Sequence, residues 1–168
     1  MSLHFVPFHP DLIPKFKKWH DDEETRKRIA IEQLDEFYSF VNSRLDYWIW
    51  GVYDQNELIG ELSVEVTGYK TAGISYLVNP NKRNQGYGQN MLKEMVHLKA
   101  LSFTEIFEAW VDCDNYASIK CLERAGFIKQ NFEPDENDMY LYIFNRSMEK
   151  VVKNNGRESK ENGTNRND

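Results

Sequence analysis

The chain has 168 residues, of which 40% are hydrophobic and 29% charged, and its 21 basic and 27 acidic side chains leave a formal net charge of −6. This composition predicts one folded domain and argues against a nucleic-acid-binding protein, which usually carries a basic face. The chain has only two cysteines, which argues against a disulfide framework. It shows no residue cluster with metal-ligand spacing and no segment of signal-peptide or transmembrane character, so we predict a cytoplasmic protein without a metal site or a membrane partner.

The first half of the chain predicts a strand, two amphipathic helices and three further strands. Apolar side chains recur every three or four residues after Asp11, a helix-capping residue, and again from Ile31 to Leu45. Alternating apolar and polar residues joined by short turns then predict an antiparallel meander. The predicted segments are strand 3–8, helices 12–19 and 31–45, and strands 47–53, 58–66 and 72–78.

The second half alternates helices and strands, so the whole chain predicts a mixed α/β domain. Asn115 or Asp114 is the expected cap of its second helix, and Gly126 fits the left-handed position that ends it. The predicted segments are helix 86–102, strand 106–111, helix 115–125, and strands beginning at 127 and 139. Residues 149–168 contain no aromatic side chain, which predicts a flexible polar tail after a domain of residues 1–148.

A glycine-containing loop, Arg83-x-x-Gly86-x-Gly88, lies between the third meander strand and the following helix. Glycines let the backbone approach a ligand closely, the free N–H groups of a helix's first turn bind anions, and Arg83 adds a cationic donor. The loop therefore indicates a phosphate or pyrophosphate site, although a purely structural turn explains two glycines equally well. It is not a P-loop, since no Gly-Lys-Ser/Thr follows, and it lacks the βαβ context of a dinucleotide fingerprint.

A second motif, Asn115 through Phe127, places an Asn at a strand-to-helix turn and closes its helix on Gly126. In this order and spacing, the two motifs resemble the acyl-CoA loop and the motif that follows it in the GNAT superfamily of N-acetyltransferases. The opening segment, with Trp19 and an acidic run, looks like the branch containing ribosomal-protein and aminoglycoside N-acetyltransferases. The resemblance covers residues 3 to about 147. It implies a mostly antiparallel central sheet with two splayed parallel strands and flanking helices.

The resemblance also implies an acetyl-CoA site between the two splayed strands. Backbone groups of Leu77 and Val78 would pair with the pantetheine amides, and the glycine loop would hold the pyrophosphate. Asn115 and Ser118 would contact the pantetheine arm from the other side. The implied acetyl-CoA-binding residues are Leu77, Val78, Arg83, Asn84, Gln85, Gly86, Tyr87, Gly88, Gln89, Asn115 and Ser118.

Three positions depart from the family's usual catalytic pattern. The common general-base positions correspond to Gly73 and Trp110, and the position of a tyrosine that serves as the acid corresponds to Leu122. None of these side chains exchanges a proton, so another group or water has to accept the proton of the amine. The substitute bases that we consider are Glu61, Glu65 and Asp112.

Each of these carboxylates also has a structural explanation. Glu61 and Glu65 share the strand face opposite that of Leu62 and Val64, and the simpler interpretation is that their face is only solvated. Asp112 ends a strand beside the splay, where a turn-forming Asp is an equally good account. We keep Glu61 and Asp112 as the catalytic candidates.

The acidic run Asp21-Asp22-Glu23-Glu24 lies between the two helices of the first half, a region that walls the acceptor site in the GNAT family. With the acidic balance of the chain, it favours a cationic amine acceptor, either a small molecule or a peptide. A solvated helix edge is the plain alternative for the same residues.

The leading hypothesis is therefore acetyl transfer from acetyl-CoA to a primary amine by direct attack, without a covalent enzyme intermediate. The missing catalytic side chains motivate an alternative, a catalytically silent acyl-CoA-binding or sensing module. A nucleotide-phosphate enzyme is a third class, which the missing Lys-Ser/Thr disfavours. We expect no nucleic-acid partner, and a homodimer stays open.

Overall fold

A computed structural model describes residues 2–29 and 31–149 of the chain. The segment predicted as a polar tail lies outside the described residues apart from Glu149. The described chain forms a mixed sheet with helices packed on both of its faces, which confirms the predicted fold class.

The sheet is built from the strands β1 (Leu3–Pro7), β2 (Tyr47–Asp54), β3 (Glu57–Gly68), β4 (Thr71–Val78), β5 (Ile106–Asp112), β6 (Ile128–Lys129) and β7 (Met139–Asn145). Their order across the sheet is β1-β2-β3-β4-β5-β7-β6. Neighbouring strands are antiparallel except for β4 and β5, which are parallel. Tight turns join β2, β3 and β4, so the predicted meander is confirmed.

The parallel strands β4 and β5 separate along their length. Their register pairs only Thr71–Gly73 with Ile106–Glu108, so the two strands part from Ile74 onward. Strand β3 covers the other edge of β4 from end to end. The β5-facing backbone groups of residues 74–78 therefore have no strand partner within the described chain. The predicted splay of two parallel strands is confirmed.

The helices that flank the sheet are α1 (Ile13–His20), α2 (Glu23–Arg28), α3 (Leu34–Asn42), α4 (Tyr87–Met95) and α5 (Tyr116–Arg124). At the start of α5, the Asn115 side chain accepts a 3.1 Å hydrogen bond from the Ser118 N–H. At its end, Gly126 adopts a φ of +93°, in the left-handed region. Both predicted ends of this helix are confirmed.

Helix α4 is shorter than predicted. It ends at Met95, and the chain continues as a short 3-10 turn, Lys99–Leu101. The Arg146 guanidinium donates to the carbonyl oxygens of Val96 at 2.7 Å and Leu101 at 2.8 Å, and these bonds hold the chain away from the helical path. Because Arg146 lies far along the sequence, the apolar periodicity of residues 86–102 contains no sign of this stop.

Helix α2 was not expected, because the acidic run reads as a helix edge or a loop. Asp22 caps it by accepting a 3.1 Å hydrogen bond from the Thr25 N–H. Acidic residues occupy its first turn and basic residues, up to Arg28, its last turn, which suits the helix dipole. The helix predicted at residues 31–45 is shorter in the structure, where α3 spans Leu34–Asn42 and Leu45 is 97% exposed.

The hydrophobic core lies on both faces of the sheet. Side chains of α4 and α5 pack on the face that carries Leu62 and Val64, and those of α1 and α3 pack on the opposite face. Alternation along β3 directs Glu61 and Ser63 to the α1–α3 side, where Glu61 is only 7% exposed. The solvated-face interpretation is therefore wrong at Glu61, because two helices cover that part of the strand.

Candidate active site

A cavity of about 730 Å³ occupies the space where β4 and β5 part and reaches the first turns of α4 and α5. The structure brings together there nearly all the residues that the sequence predicts for acetyl-CoA. Those that line the cavity are Leu77, Val78, Arg83, Asn84, Gly86, Tyr87, Gly88, Gln89, Asn115 and Ser118. The exception is Gln85, which is exposed and does not line the cavity.

The glycine loop has the backbone shape that an anion site requires. Gly86 has a φ of +82° and Asn84 a φ of +62°, both in the left-handed region. Gly86 begins α4 without any side-chain cap, so the first-turn N–H groups of the helix keep their hydrogen-bonding capacity. These donors and the positive end of the helix dipole suit a phosphate group.

Gly88 lets α4 lie close to the neighbouring wall of the cavity. A Cβ atom at this position would lie 3.2 Å from the Cys121 sulfur and 3.3 Å from a ring carbon of Tyr76. Both contacts are tighter than ordinary van der Waals packing. A glycine therefore lets β4, α4 and α5 meet at the cavity without displacing the Cys121 or Tyr76 side chain.

Arg83 ties the glycine loop to α2. Its guanidinium lies 2.7 Å from the Asp22 carboxylate and donates a 2.7 Å hydrogen bond to the Thr25 hydroxyl. Burial opposes the charged form of Asp22, but the hydrogen bonds from Arg83 and Thr25 outweigh it and lower the pKa of this carboxyl. The acidic run thus supplies a partner for the loop that is expected to hold pyrophosphate.

Arg28 ties the other end of α2 to β5. It donates a 3.1 Å hydrogen bond to Asp112 and also pairs with Asp114 and Glu24. Helix α2 is therefore held to both walls of the cleft, by Arg83 on the loop and by Asp112 after the splay. Asp112 lines the large cavity, but its carboxylate is occupied by a guanidinium.

Gly73, Trp110 and Leu122 all line the large cavity, as the resemblance implies, and none of them carries an ionisable group. Tyr76 does, and the sequence reasoning missed it. Its hydroxyl spans the cleft from β4 to α5 and lies 2.7 Å from the Ser118 hydroxyl. Burial raises the pKa of this phenol, so the hydroxyl keeps its proton. The available signal was a tyrosine on the same strand face as Ile74 and Val78.

A smaller cavity of about 240 Å³ adjoins the large one, and the two share Tyr47, Ser75, Tyr76 and Leu77 among their lining residues. Glu61 lines only the smaller cavity. This carboxylate therefore faces the α1–α3 side of β4, next to the cleft rather than inside it.

Glu61 belongs to a buried cluster with His20 of α1 and Tyr38 of α3. The Tyr38 hydroxyl donates a 2.8 Å hydrogen bond to one Glu61 oxygen, and His20 Nε2 lies 3.3 Å from the other. Burial and then the Glu61 charge raise the pKa of Tyr38, which keeps it a donor. His20 and Tyr38 were not predicted, because 41 and 23 positions separate them from Glu61.

Within residues 2–29 and 31–149, no helix has both the length and the apolar character of a membrane-spanning segment. Within the same residues, no group of three or more His, Cys, Asp or Glu side chains is arranged to hold a metal ion.

The mixed sheet splays around a cleft, and a glycine loop and two helix starts lie on the cleft's walls. Together these features define a ligand-binding α/β domain. The model of the acetyltransferase (GNAT) family matches residues 9–127, more than half of the chain. The chain belongs to this family of N-acetyltransferases. A curated relative, the uncharacterized N-acetyltransferase YfmK of Bacillus subtilis (strain 168), is 34% identical over 129 residues, which cover 74% of this chain and 84% of the relative.

Solved structures share the fold at low sequence identity. The aminoglycoside acetyltransferase AAC(6')-Ib, in complex with coenzyme A and kanamycin, matches with a TM-score of 0.75 and 16% identity, over 87% of this chain and 96% of that one. The spermidine N-acetyltransferase of Vibrio cholerae, in complex with CoA and spermine, matches with a TM-score of 0.75 and 15% identity, over 86% of this chain and 96% of that one. The ribosomal L7/L12 α-N-protein acetyltransferase RimL matches with a TM-score of 0.71 and 17% identity, over 86% of this chain and 94% of that one. These structures, which include an aminoglycoside and a ribosomal-protein acetyltransferase, share the predicted fold.

Proposed function

We propose that this protein transfers the acetyl group of acetyl-CoA to a primary amine of a cationic acceptor, by direct attack of the amine on the thioester. The carrying observation is the cleft between β4 and β5, where ten of the eleven residues predicted for acetyl-CoA meet. The CoA and amine complexes of the aminoglycoside and spermidine enzymes, which have this fold, support the same assignment.

The donor fits the cleft in three parts. The first turn of α4 and the left-handed Gly86 would hold the pyrophosphate, with Arg83 as cationic partner. The unpaired edge of β4 at Leu77 and Val78 would bond the pantetheine amides as an added strand does. Ser118, on the opposite wall, would close on the pantetheine arm. The residues present therefore fit the group.

Glu61 is the base that the geometry favours. Asp112 is paired with Arg28, whereas among the described residues Glu61 is held only by the neutral Tyr38 hydroxyl and by His20 at 3.3 Å. A carboxylate beside the cleft also attracts an ammonium group, in keeping with a cationic acceptor. The cationic amines in the kanamycin and spermine complexes support that class of acceptor.

The proton balance closes with two side chains. Glu61 takes one proton from the ammonium, and the neutral amine attacks the thioester carbonyl carbon. As the C–N bond forms and the C–S bond breaks, the Tyr76 hydroxyl would give its proton to the leaving sulfur. The second proton of the nitrogen would pass through water and the Ser118 hydroxyl, which lies 2.7 Å from the Tyr76 hydroxyl, and restore Tyr76. The products are an N-acetylamine and the free thiol, with one proton passing to solvent from Glu61.

Calorimetry and a thiol-release assay test this function. We expect acetyl-CoA to bind and ATP not to bind, and we expect polyamines, aminoglycosides or basic peptides to release CoA thiol. Release with only neutral or acidic amines would contradict the cationic acceptor. Tight acetyl-CoA binding with no turnover on any amine would favour a silent acyl-CoA-binding module, the alternative that Gly73, Trp110 and Leu122 motivate.

A further inference from the structure

We infer that the 240 Å³ cavity is the acceptor subsite and that it takes the ammonium end of an unbranched alkyl chain, with Glu61 as its anionic partner and His20 and Tyr38 as the residues that position Glu61. The inference deepens the proposed function and depends on it for the reaction step. It rests on the charge, the lining and the location of the cavity.

The charge of the cavity is unbalanced in a way that points to a cation. Glu61 is 7% exposed, and no Lys or Arg is among the described residues that line this cavity. In the described chain its only charge-capable partner is His20. A buried carboxylate without a cationic partner is costly, and a ligand ammonium group would supply that partner.

The positioning of Glu61 comes from two different helices. The Tyr38 hydroxyl directs a 2.8 Å hydrogen bond to Oε1, and His20 Nε2 lies 3.3 Å from Oε2. His20 Nδ1 is buried and has no hydrogen-bond partner among the described residues, which suits the tautomer that donates from Nε2 and keeps a lone pair on Nδ1. His20 Nε2 also lies 3.3 Å from the Tyr38 hydroxyl, so in this tautomer its proton is shared between Tyr38 and Glu61. Tyr38 and His20 thus position the carboxylate together, and its remaining lone pairs are left for a ligand.

The lining selects the shape of the acceptor. Ile29, Ile31 and Phe37 give the cavity apolar walls, and Tyr47, Ser63 and Ser75 line it as well. A chain of methylene groups can lie against the apolar walls without loss. A space of 240 Å³ equals roughly eight waters at about 30 Å³ each, which is far less than a multi-ring aminosugar needs.

The smaller cavity lies where an amine bound in it would be next to the cleft. Glu61 is the register partner of Leu77 on β4, and Leu77 also lines the large cavity. Ser75 and Tyr76 line both cavities as well. An amine beside Glu61 therefore enters from the α1–α3 side of β4, while the donor lies along the free edge of the same strand.

The substrate arm of the test compares unbranched monoamines of two to six carbons with isomers branched beside the nitrogen and with kanamycin, by thiol release. We expect kcat/KM to rise about fourfold per added methylene until the cavity is full, and to fall at least tenfold on branching. Equal rates for branched and unbranched isomers, or a preference for kanamycin, would overturn the subsite.

The variant arm uses Glu61→Gln, Tyr38→Phe and His20→Ala. We expect Glu61→Gln to lower kcat/KM for every amine by about 10²-fold, with an unchanged calorimetric affinity for acetyl-CoA. Tyr38→Phe and His20→Ala should reduce the ratio of kcat/KM values for unbranched and branched amines. That ratio does not depend on the folded fraction, so a purely structural role would leave it unchanged.

Tyr142→Phe is the control, since it also deletes the hydrogen bond that a buried tyrosine donates to a glutamate, the exposed Glu123 at 3.0 Å, outside both cavities. The Tyr142→Phe variant should have the same ratio of kcat/KM values for unbranched and branched amines as the wild type. If no amine turns over, calorimetry of hexylamine with the acetyl-CoA complex decides the subsite separately. Binding that Glu61→Gln abolishes supports the subsite even though transfer has failed, and absent or unaffected binding overturns it.

Discussion

The Arg83 guanidinium and the Asp22 carboxylate lie 2.7 Å apart and join the glycine loop to the N-terminus of α2. The same carboxylate caps α2 through the Thr25 N–H. Arg28, at the other end of this six-residue helix, is bound to Asp112, the last residue of β5. Helix α2 therefore depends on contacts with both walls of the cleft, because so short a helix has little stability of its own.

Replacing Asp22 should loosen α2. Asp22→Ala removes the helix cap and the Arg83 ion pair, so we expect about 1 kcal/mol less protection for the amides of residues 26–29 in native-state hydrogen exchange. Asp21→Ala is the control, since Asp21 is exposed and its side chain has no hydrogen-bond partner within the described residues. Equal protection in both variants would show that the pair does not hold the helix.

The same pair should give the protein an acid-sensitive contribution to stability. The folded-state pKa of Asp22 lies below its ordinary value, so the contribution is complete above about pH 4 and is lost as the pH falls through the folded-state pKa. We expect the difference in unfolding free energy between wild type and Asp22→Asn, measured in urea, to be largest near neutral pH and to shrink in strong acid. A difference that grows on acidification would contradict this assignment.

Gly86→Asp should abolish acetyl-CoA binding, with a loss of at least about 100-fold in calorimetric affinity. The variant sets a negative charge at the helix start where the pyrophosphate is proposed to bind. Gly86→Asn is the matched control, because Asn has nearly the same shape, tolerates the left-handed φ of +82° and carries no charge. The site assignment fails if Gly86→Asp keeps the wild-type affinity.

Tyr76→Phe tests the proton donor to the leaving sulfur. The hydroxyl that lies 2.7 Å from the Ser118 hydroxyl is lost, while the ring that packs near Gly88 remains. We expect kcat to fall by about 10²-fold with little change in acetyl-CoA affinity. Unaltered kcat, with chemistry shown to be rate-limiting in single-turnover experiments, would remove Tyr76 from the mechanism.

Cys121 should alkylate slowly, and acetyl-CoA should protect it. Burial raises the pKa of this thiol above its ordinary value, which lowers the reactive thiolate fraction at neutral pH. In a Cys113→Ser background, we expect iodoacetamide to react more slowly than with free cysteine at pH 7.5 and to accelerate as the pH rises. Cys121 lines the large cavity, so bound acetyl-CoA should slow the reaction further. Mass spectrometry of timed aliquots follows both effects, and labelling that acetyl-CoA leaves unchanged would count against its proposed place in the cleft.

The local pattern of the sequence was sufficient for the sheet and for the cleft. Alternation in the meander, the Asn115 cap, Gly126 and the glycines of the loop act over a few residues, so each can be recognised from its neighbours. The C-terminal end of α4 could not be recognised in this way, since a distant guanidinium, Arg146, binds the carbonyl group of Val96 just beyond it. The capping residue and the charge pattern of α2 can be recognised in the sequence, but the contacts of α2 with Arg83 cannot.

The sequence by itself therefore determined the family architecture, and its resemblance to that family named most of the residues that line the cleft, because the motifs express local backbone requirements. Tertiary structure alone decided the surroundings of the two candidate carboxylates. It buried Glu61 under two helices, brought His20 and Tyr38 to it, and occupied Asp112 with Arg28. The state of a carboxylate depends on the charges, donors and solvent that surround it, and these come from segments that only folding brings together.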